Sequence, residues 1–386
     1  MKTGSRHALR FTNLRLENWR NFTRVDVELP RRVFLVGANA SGKSNWLDVF
    51  RFLHDLVSID GGFQAAVRKR GGVSQLRCLA ARRFPEIAIQ ASLGGNDAGA
   101  AWEYELRFTQ DRRQRPVIQR ERVAREGKLL LSRPLPQDRK DPERLTQTYL
   151  EQVTVNQQFR ELADLFGAIR YLHIIPQLVR EPDRSVGRRN DPYGGDFLEQ
   201  VARTPEKTRT ARLRRIRDAL RVAVPQLKGL EFSRDDSGAP HLRGQWEHWR
   251  LQGGWQTEEQ LSDGTLRLLG LLWAMLDGTG PLLLEEPELS LHSDVARFIP
   301  QMLARMERRA SRQVLVSTHS TDILRDEGIG LHELLLFEPG TEGTSVRPAG
   351  DFAEIKALLQ GGTSLAEAAI PRTCPPNAQQ LPLFGE

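Results

Sequence analysis

The segment "RVFLVGANASGKSNWLDVF", residues 32–50, constrains the fold more than any other part of the chain. Gly37–Ser44 fits G-x-x-x-x-G-K-[ST] in full. It follows an apolar run suited to a buried parallel strand and precedes a helix expected from about Lys43 to Leu56. The glycines let backbone N–H groups close on phosphate oxygens, and the helix N-terminus adds its positive dipole end. The expected nucleotide contacts are therefore Gly37, Ala38, Asn39, Ala40, Ser41, Gly42, Lys43, Ser44 and Asn45. Lys43 should reach the β- and γ-phosphates, a catalytic role, and Ser44 should ligate Mg²⁺.

Residues 11–30 read as two alternating strands around a turn at Asn18–Asn21, and residues 86–132 as further strands. Residues 133–250 are polar and rich in arginine and proline, with helices expected near 156–170 and 205–222. No heptad persists there, which excludes a long coiled-coil arm. From Gln260 the pattern alternates helix and strand, which means a parallel sheet covered by helices. The division expected is an N-terminal lobe with a β-subdomain (1–132), a helical, basic insertion (133–250), a C-terminal lobe (251–345) and an extension with a flexible tail (346–386).

Two strand ends in the C-terminal lobe carry chemistry. "PLLLEEPELSLH" ends an apolar strand in two carboxylates, and open α/β sheets bind ligands at that end of their strands. Glu285 would face Mg²⁺, and Glu286 would address the attacking water; alone, the pair could equally be an acidic loop. "VLVSTHS" places His319 on the same rim, able to donate a hydrogen bond to the γ-phosphate or simply satisfied by backbone. Upstream, "LSDGTLRLLG" puts Ser262 at a helix N-cap, with Gly264 allowing close approach to an anion. The helix is apolar nearly all round and so is expected to be buried; simple capping explains the corner equally well.

The order of these four elements resembles the nucleotide-binding domain of the ABC ATPase superfamily, with Leu261, Ser262 and Gly264 matching its signature motif. The resemblance implies an α/β P-loop NTPase fold, an ABC-type ATPase head with an antiparallel β-subdomain. It also implies ATP and Mg²⁺ as ligands. In that family the signature caps the γ-phosphate held by a second subunit. Ser262, Asp263 and Gly264 would then contact a partner copy's ATP, and the active form would be an ATP-dependent homodimer or higher assembly. "LRLENWRNF", with Asn18, Trp19 and Arg20, looks like the start of RecF/SMC-type ATPases, and "LLLEEPELSLH" resembles the OLD nucleases and their stand-alone ATPase relatives. Glu285 stands where that pattern has Asp, and Asp263 where Gly or Ser is commoner. The glutamine that links nucleotide to the lobe interface is not identifiable by pattern; Gln177 and Gln75 are the candidates, and an ordinary loop glutamine is the simpler reading of Gln177.

Basic residues exceed acidic ones by seven, which permits nucleic-acid contact without proving it. They concentrate in "EKTRTARLRRIRDALR", where Arg212, Arg214, Arg217 and Arg221 are candidate phosphate-backbone contacts; a solvated basic face is the plain alternative. Near the C-terminus, Gln380, Leu381, Leu383 and Phe384 resemble the bacterial sliding-clamp-binding pentapeptide, or belong to a tail that packs on its own core. Neither a toprim nuclease nor a His-Asn-His cluster is present, so any nuclease or other effector is expected on a separate chain. Two lone cysteines, no signal-peptide run and no apolar stretch long enough for a bilayer point to a cytoplasmic protein without direct membrane insertion. The leading expectation is a DNA-associated ATPase in genome maintenance or anti-phage defence. A transporter's energising subunit and a non-catalytic nucleotide-sensing scaffold are the alternatives.

Overall fold

The computed structural model describes residues 9–81, 85–95, 101–181, 191–247 and 254–373. Its strands are β1 (Arg10–Trp19), β2 (Phe22–Glu28), β3 (Arg32–Gly37), β4 (Ile87–Gly94), β5 (Trp102–Gln110), β6 (Pro116–Arg125), β7 (Lys128–Arg133), β8 (Arg170–Leu172), β9 (Leu227–Arg234), β10 (Pro240–Trp246), β11 (Trp255–Thr257), β12 (Leu282–Glu285), β13 (Val314–Ser317), β14 (Leu334–Gly340) and β15 (Gly343–Pro348). The central sheet has the order β15-β14-β3-β13-β12-β8, parallel except at β15. A second, antiparallel sheet has the order β2-β1-β4-β5-β6-β7. The third is small, β11-β10-β9.

The central strands are apolar without interruption because both faces are covered. Val33 and Leu35 of β3, Leu283 of β12 and Leu315 of β13 enter one core. That core also holds the antiparallel sheet's inner side chains and Trp46, Leu47, Phe50 and Leu53 of the helix Lys43–Val57. The alternate residues Phe34, Val36, Leu282, Leu284, Val314 and Val316 enter a second core with Leu266, Leu269 and Trp273 of the helix Asp263–Leu276. Strand alternation thus sets the phosphate-loop helix and the signature helix on opposite faces of one sheet, with the strand ends between them.

Residues 133–250 hold more than the helical insertion expected. Helices lie at Arg160–Gly167 and Glu206–Ala223, as the pattern implies. The same stretch also supplies β8 to the edge of the central sheet and β9 and β10 to the third sheet. β8 escapes a pattern reading because it is three half-buried residues long. The part of the tail described, up to Thr373, packs on the core: Leu365–Ala369 is a helix whose Ser364 cap accepts from Glu367 N, and whose Leu365, Ala366, Ala368 and Ala369 are buried in the second core; residues 374–386 lie outside the described residues. Among the described residues no helix is long and apolar enough to cross a membrane.

Candidate functional site

The phosphate loop is braced from behind. Gly42 has φ 99°, and a Cβ there would lie 2.0 Å from Asn21 Nδ2. That amide donates to Ser41 O at 3.1 Å and to Thr344 Oγ1 at 2.7 Å, while Asn21 Oδ1 accepts from Asn45 Nδ2 at 2.9 Å. Trp19 Nε1 donates to Asn45 O at 2.9 Å. Asn18 and Arg20 both take left-handed backbone angles, which makes the tight turn between β1 and β2. Asn18 steadies it by accepting from Cys78 N and donating to Glu86 O. These contacts brace the loop, as a preorganised anion site requires.

Lys43 Nζ donates to Gly37 O at 2.8 Å and Ala38 O at 2.9 Å, curling over the cradle its own loop forms. Burial pushes its pKa down to about 8, against the attraction of Glu286 and Glu285. A bound triphosphate would favour the ammonium and raise that value, so binding above pH 8 must take up a proton. Affinity should be flat below pH 8. Above it the ATP dissociation constant should rise roughly tenfold between pH 8 and 9.5, as lysine binds a proton only in the complex. Calorimetry in buffers of different ionisation enthalpy reads both effects. A Lys43→Met variant should bind weakly and without that slope.

Ser44 Oγ donates to Glu285 Oε1, joining the start of the helix Lys43–Val57 to the end of β12. Tyr171 of β8 donates its hydroxyl proton to Glu285 Oε2, and the His173 ring lies 3.2 Å from Glu285 O. Ser44 and Glu285 are an all-oxygen pair suited to a hard cation such as Mg²⁺. Among the described residues no cluster of three or more His, Cys, Asp or Glu forms a metal cage. The chain then enters a left-handed conformation at Glu286, φ 44°, and this carboxylate meets a different partner: His319 Nε2 at 3.1 Å from Oε1. Burial pushes Glu285 up, while the His319 hydrogen bond holds Glu286 below the ordinary glutamate range. Adjacent carboxylates thus receive opposite biases from their surroundings.

The signature corner is a built turn. Ser262 Oγ caps the helix Asp263–Leu276 by accepting from Thr265 N at 3.2 Å, yet Ser262 itself is exposed. A Cβ on Gly264 would lie 2.5 Å from Ser290 O, so only glycine lets this corner seat against the segment after β12. Arg180 Nη2 donates to Leu261 O at 2.7 Å and to Asp263 Oδ1 at 2.6 Å. Asp263, the departure from the usual signature, is thereby the anchor of an ion pair. At the helix's other end, Arg312 donates to Ala274 O and Asp277 O.

The structure brings the phosphate loop, Glu285, Glu286 and His319 together at the ends of β3, β12 and β13. Tyr171 and His173 lie in no motif, and Asn21 closes the Asn18–Asn21 turn with no site role legible from sequence. Gln177 lies exposed on the helix Pro176–Arg180, and Gln75 is exposed on Val73–Leu76. A cavity of about 730 Å³ is lined by Arg51, Tyr171, Leu172, Phe197 and Trp273 among others, and by no residue of the phosphate loop. On the basic helix Glu206–Ala223, Arg214 and Arg221 are exposed. Arg212 instead turns inward, donating to Asp277 Oδ1 at 2.7 Å with its guanidinium over Trp273, and Arg217 pairs with Asp218. Gln380, Leu381, Leu383 and Phe384 lie outside the described residues.

Residues 32–325 match the family model AAA_21, described as "AAA domain, putative AbiEii toxin, Type IV TA system". No curated protein matches the chain. Among solved structures, a crystal structure of an Smc head bound to the C-winged helix domain of ScpA is similar at TM-score 0.52 and 12% identity, over 87% of this chain and 96% of that one. An Smc head with an extended coiled coil from Pyrococcus furiosus, bound to the C-terminal domain of ScpA, gives TM-score 0.51 and 11% identity, over 92% and 100%. At such identities the likeness is one of fold, and the fold is that of an SMC-head, ABC-type P-loop ATPase.

Proposed function

This chain belongs to the AAA_21 family, and on that premise we propose that it hydrolyses ATP with Mg²⁺ at composite sites formed by two copies. The observation that carries the proposal is the convergence of Ser44, Glu285, Glu286 and His319 beside Lys43. Backbone N–H groups of Gly37–Ser44 cradle the phosphates, and Lys43 exchanges its two carbonyl partners for phosphate oxygens. Ser44 and Glu285 would hold Mg²⁺, which neutralises charge on the transferring phosphoryl group. Glu286, kept ionised by His319, orients a water in line with the γ-phosphorus. Its lowered pKa makes it a weak base, so placing the water matters more than removing its proton. The new O–P bond forms as the β,γ-bridging P–O bond breaks; ADP leaves, and the water's proton ends on the released phosphate. His319, paired with Glu286, is within reach to register the loss of the γ-phosphate.

Exposed Ser262 at the N-terminus of a 14-residue helix is suited to a triphosphate presented by another copy. Hydrolysis would then open the dimer. We extend the proposal to DNA as the substrate being held or released, because Lys207, Arg214, Arg215 and Arg221 leave exposed charge along one helix. Turnover measured with and without duplex DNA at two salt concentrations tests this: DNA should alter the rate at low salt and lose its effect at high salt. Arg214→Ala combined with Arg221→Ala should weaken binding about tenfold for duplexes of unrelated sequence, and reduce the salt slope by about two. Unchanged affinity and slope would remove this helix from the DNA reading. Equal turnover under all conditions would remove DNA itself.

A further inference from the structure

Glu288, the third glutamate of "EEPE", is not needed for any step above, yet it sits where the two catalytic segments join. Its Oε1 accepts a hydrogen bond from the Thr318 hydroxyl and a longer one, 3.4 Å, from the backbone N–H of His319. Its Oε2 is buried and has no hydrogen-bond partner. An exposed loop glutamate would keep both oxygens in water; holding one dry and unpartnered costs free energy that must serve an arrangement. What is arranged is the approach of two chain segments. Glu286 N donates to Ser317 O at 2.9 Å, tying the turn after β12 to the end of β13. One residue further along β13's exit, Glu288 makes the second tie. The next residue of that exit is His319, whose ring makes the 3.1 Å contact with Glu286.

We propose that Glu288 is a positioning residue that fastens the His319 segment to the turn after β12, and so sets the distance between His319 and Glu286. This rests on the reading of Glu286 and His319 as hydrolytic residues. The tie needs an acceptor at Oε1, not a charge. Glu288→Gln keeps that acceptor; Glu288→Ala removes it and frees His319 to move.

The test compares the full-length chain with both variants, after thermal melts show that they fold. In Glu288→Ala, kcat should fall at least about tenfold with KM for ATP within about twofold, since misplaced catalytic groups cost rate rather than ground-state binding. Glu288→Gln should restore kcat to within about threefold of the wild type, as expected for a retained acceptor. A second readout does not depend on turnover: the imidazole ¹⁵N signals of His319, assigned with His319→Asn, should report a hydrogen-bonded ring in wild type and Gln, and an averaged ring in Ala. If Glu288→Ala fails to fold, Thr318→Val removes the hydroxyl donor and is read in the same way. Wild-type kcat and ring signals in Glu288→Ala, or equal damage in Gln and Ala, would overturn the proposal. A wild-type chain that hydrolyses no ATP would overturn the hydrolytic reading, while the ring signals would still decide whether Glu288 makes the tie.

Discussion

Replacing Glu286 with Gln is expected to lower ATP turnover by about two to three orders of magnitude while leaving MgATP affinity within about threefold. Gln is isosteric and can still accept from His319 Nε2, so the ends of β12 and β13 should stay in register. What disappears is the negative charge that His319 and Lys43 stabilise, and with it the strong acceptor that holds the attacking water. Binding should survive because it is carried by the phosphate loop, Lys43 and Ser44, none of which Glu286 touches by hydrogen bond. A binding-competent, hydrolysis-poor chain should accumulate in its ATP-bound form. Light scattering with MgATP should therefore show a dimer in Glu286→Gln that persists for many wild-type turnover times. Turnover at the wild-type rate would mean that Glu286 does not address the water, and that its bond to His319 is structural only.

Ser262→Arg is expected to remove hydrolysis at least as completely, by a different route. Ser262 is exposed and lies on the signature helix, on the far face of the sheet from the phosphate-loop helix. A long cation there should leave a chain's hold on its own ATP unchanged, yet block the approach of a second copy's triphosphate. Turnover should fall by about a hundredfold or more, as for loss of a preorganised oxyanion contact. Loss of the cap alone is a smaller matter: Ser262→Ala removes the acceptor for Thr265 N and should cost about 1 kcal/mol of stability. Comparing the two separates a damaged helix from a blocked interface. Nucleotide titration and steady-state turnover on the same samples provide the comparison; a Ser262→Arg chain that turns over normally would remove this corner from the active site.

What could be read before the structure was local in the chain. Gly37–Ser44 announces its geometry because the loop, the strand before it and the helix after it are contiguous. The placement of Glu285, Glu286 and His319 at the sheet's rim was legible because short apolar strands end there. The remaining contacts join distant positions. Tyr171 reaches Glu285 across 114 residues, and His173 across 112. Asn21 fills the space beneath Gly42, a fit visible only once β1 and β2 have turned. Arg212 shows the limit of reading one helix alone. Periodicity groups it with the basic face, but Asp277 and Trp273, from a helix more than fifty positions later, draw its guanidinium inward. Asp263 stands where Gly or Ser is commoner, and its partner, Arg180, lies 83 residues away in the chain.

Complementation between two inactive variants tests the two-copy site most directly. Lys43→Ala should bind no ATP productively, and Ser262→Arg should bind it without hydrolysing it; each alone should be inactive. In a mixed dimer the intact phosphate loop of the Ser262→Arg chain faces the intact signature of the Lys43→Ala chain, which rebuilds one site of two. Equal mixing with independent sites should restore about a quarter of wild-type turnover, since half the dimers are mixed and each carries one working site. Turnover that stays at the parental level across all mixing ratios, or a Ser262→Arg chain that is active alone, would contradict a site shared between copies.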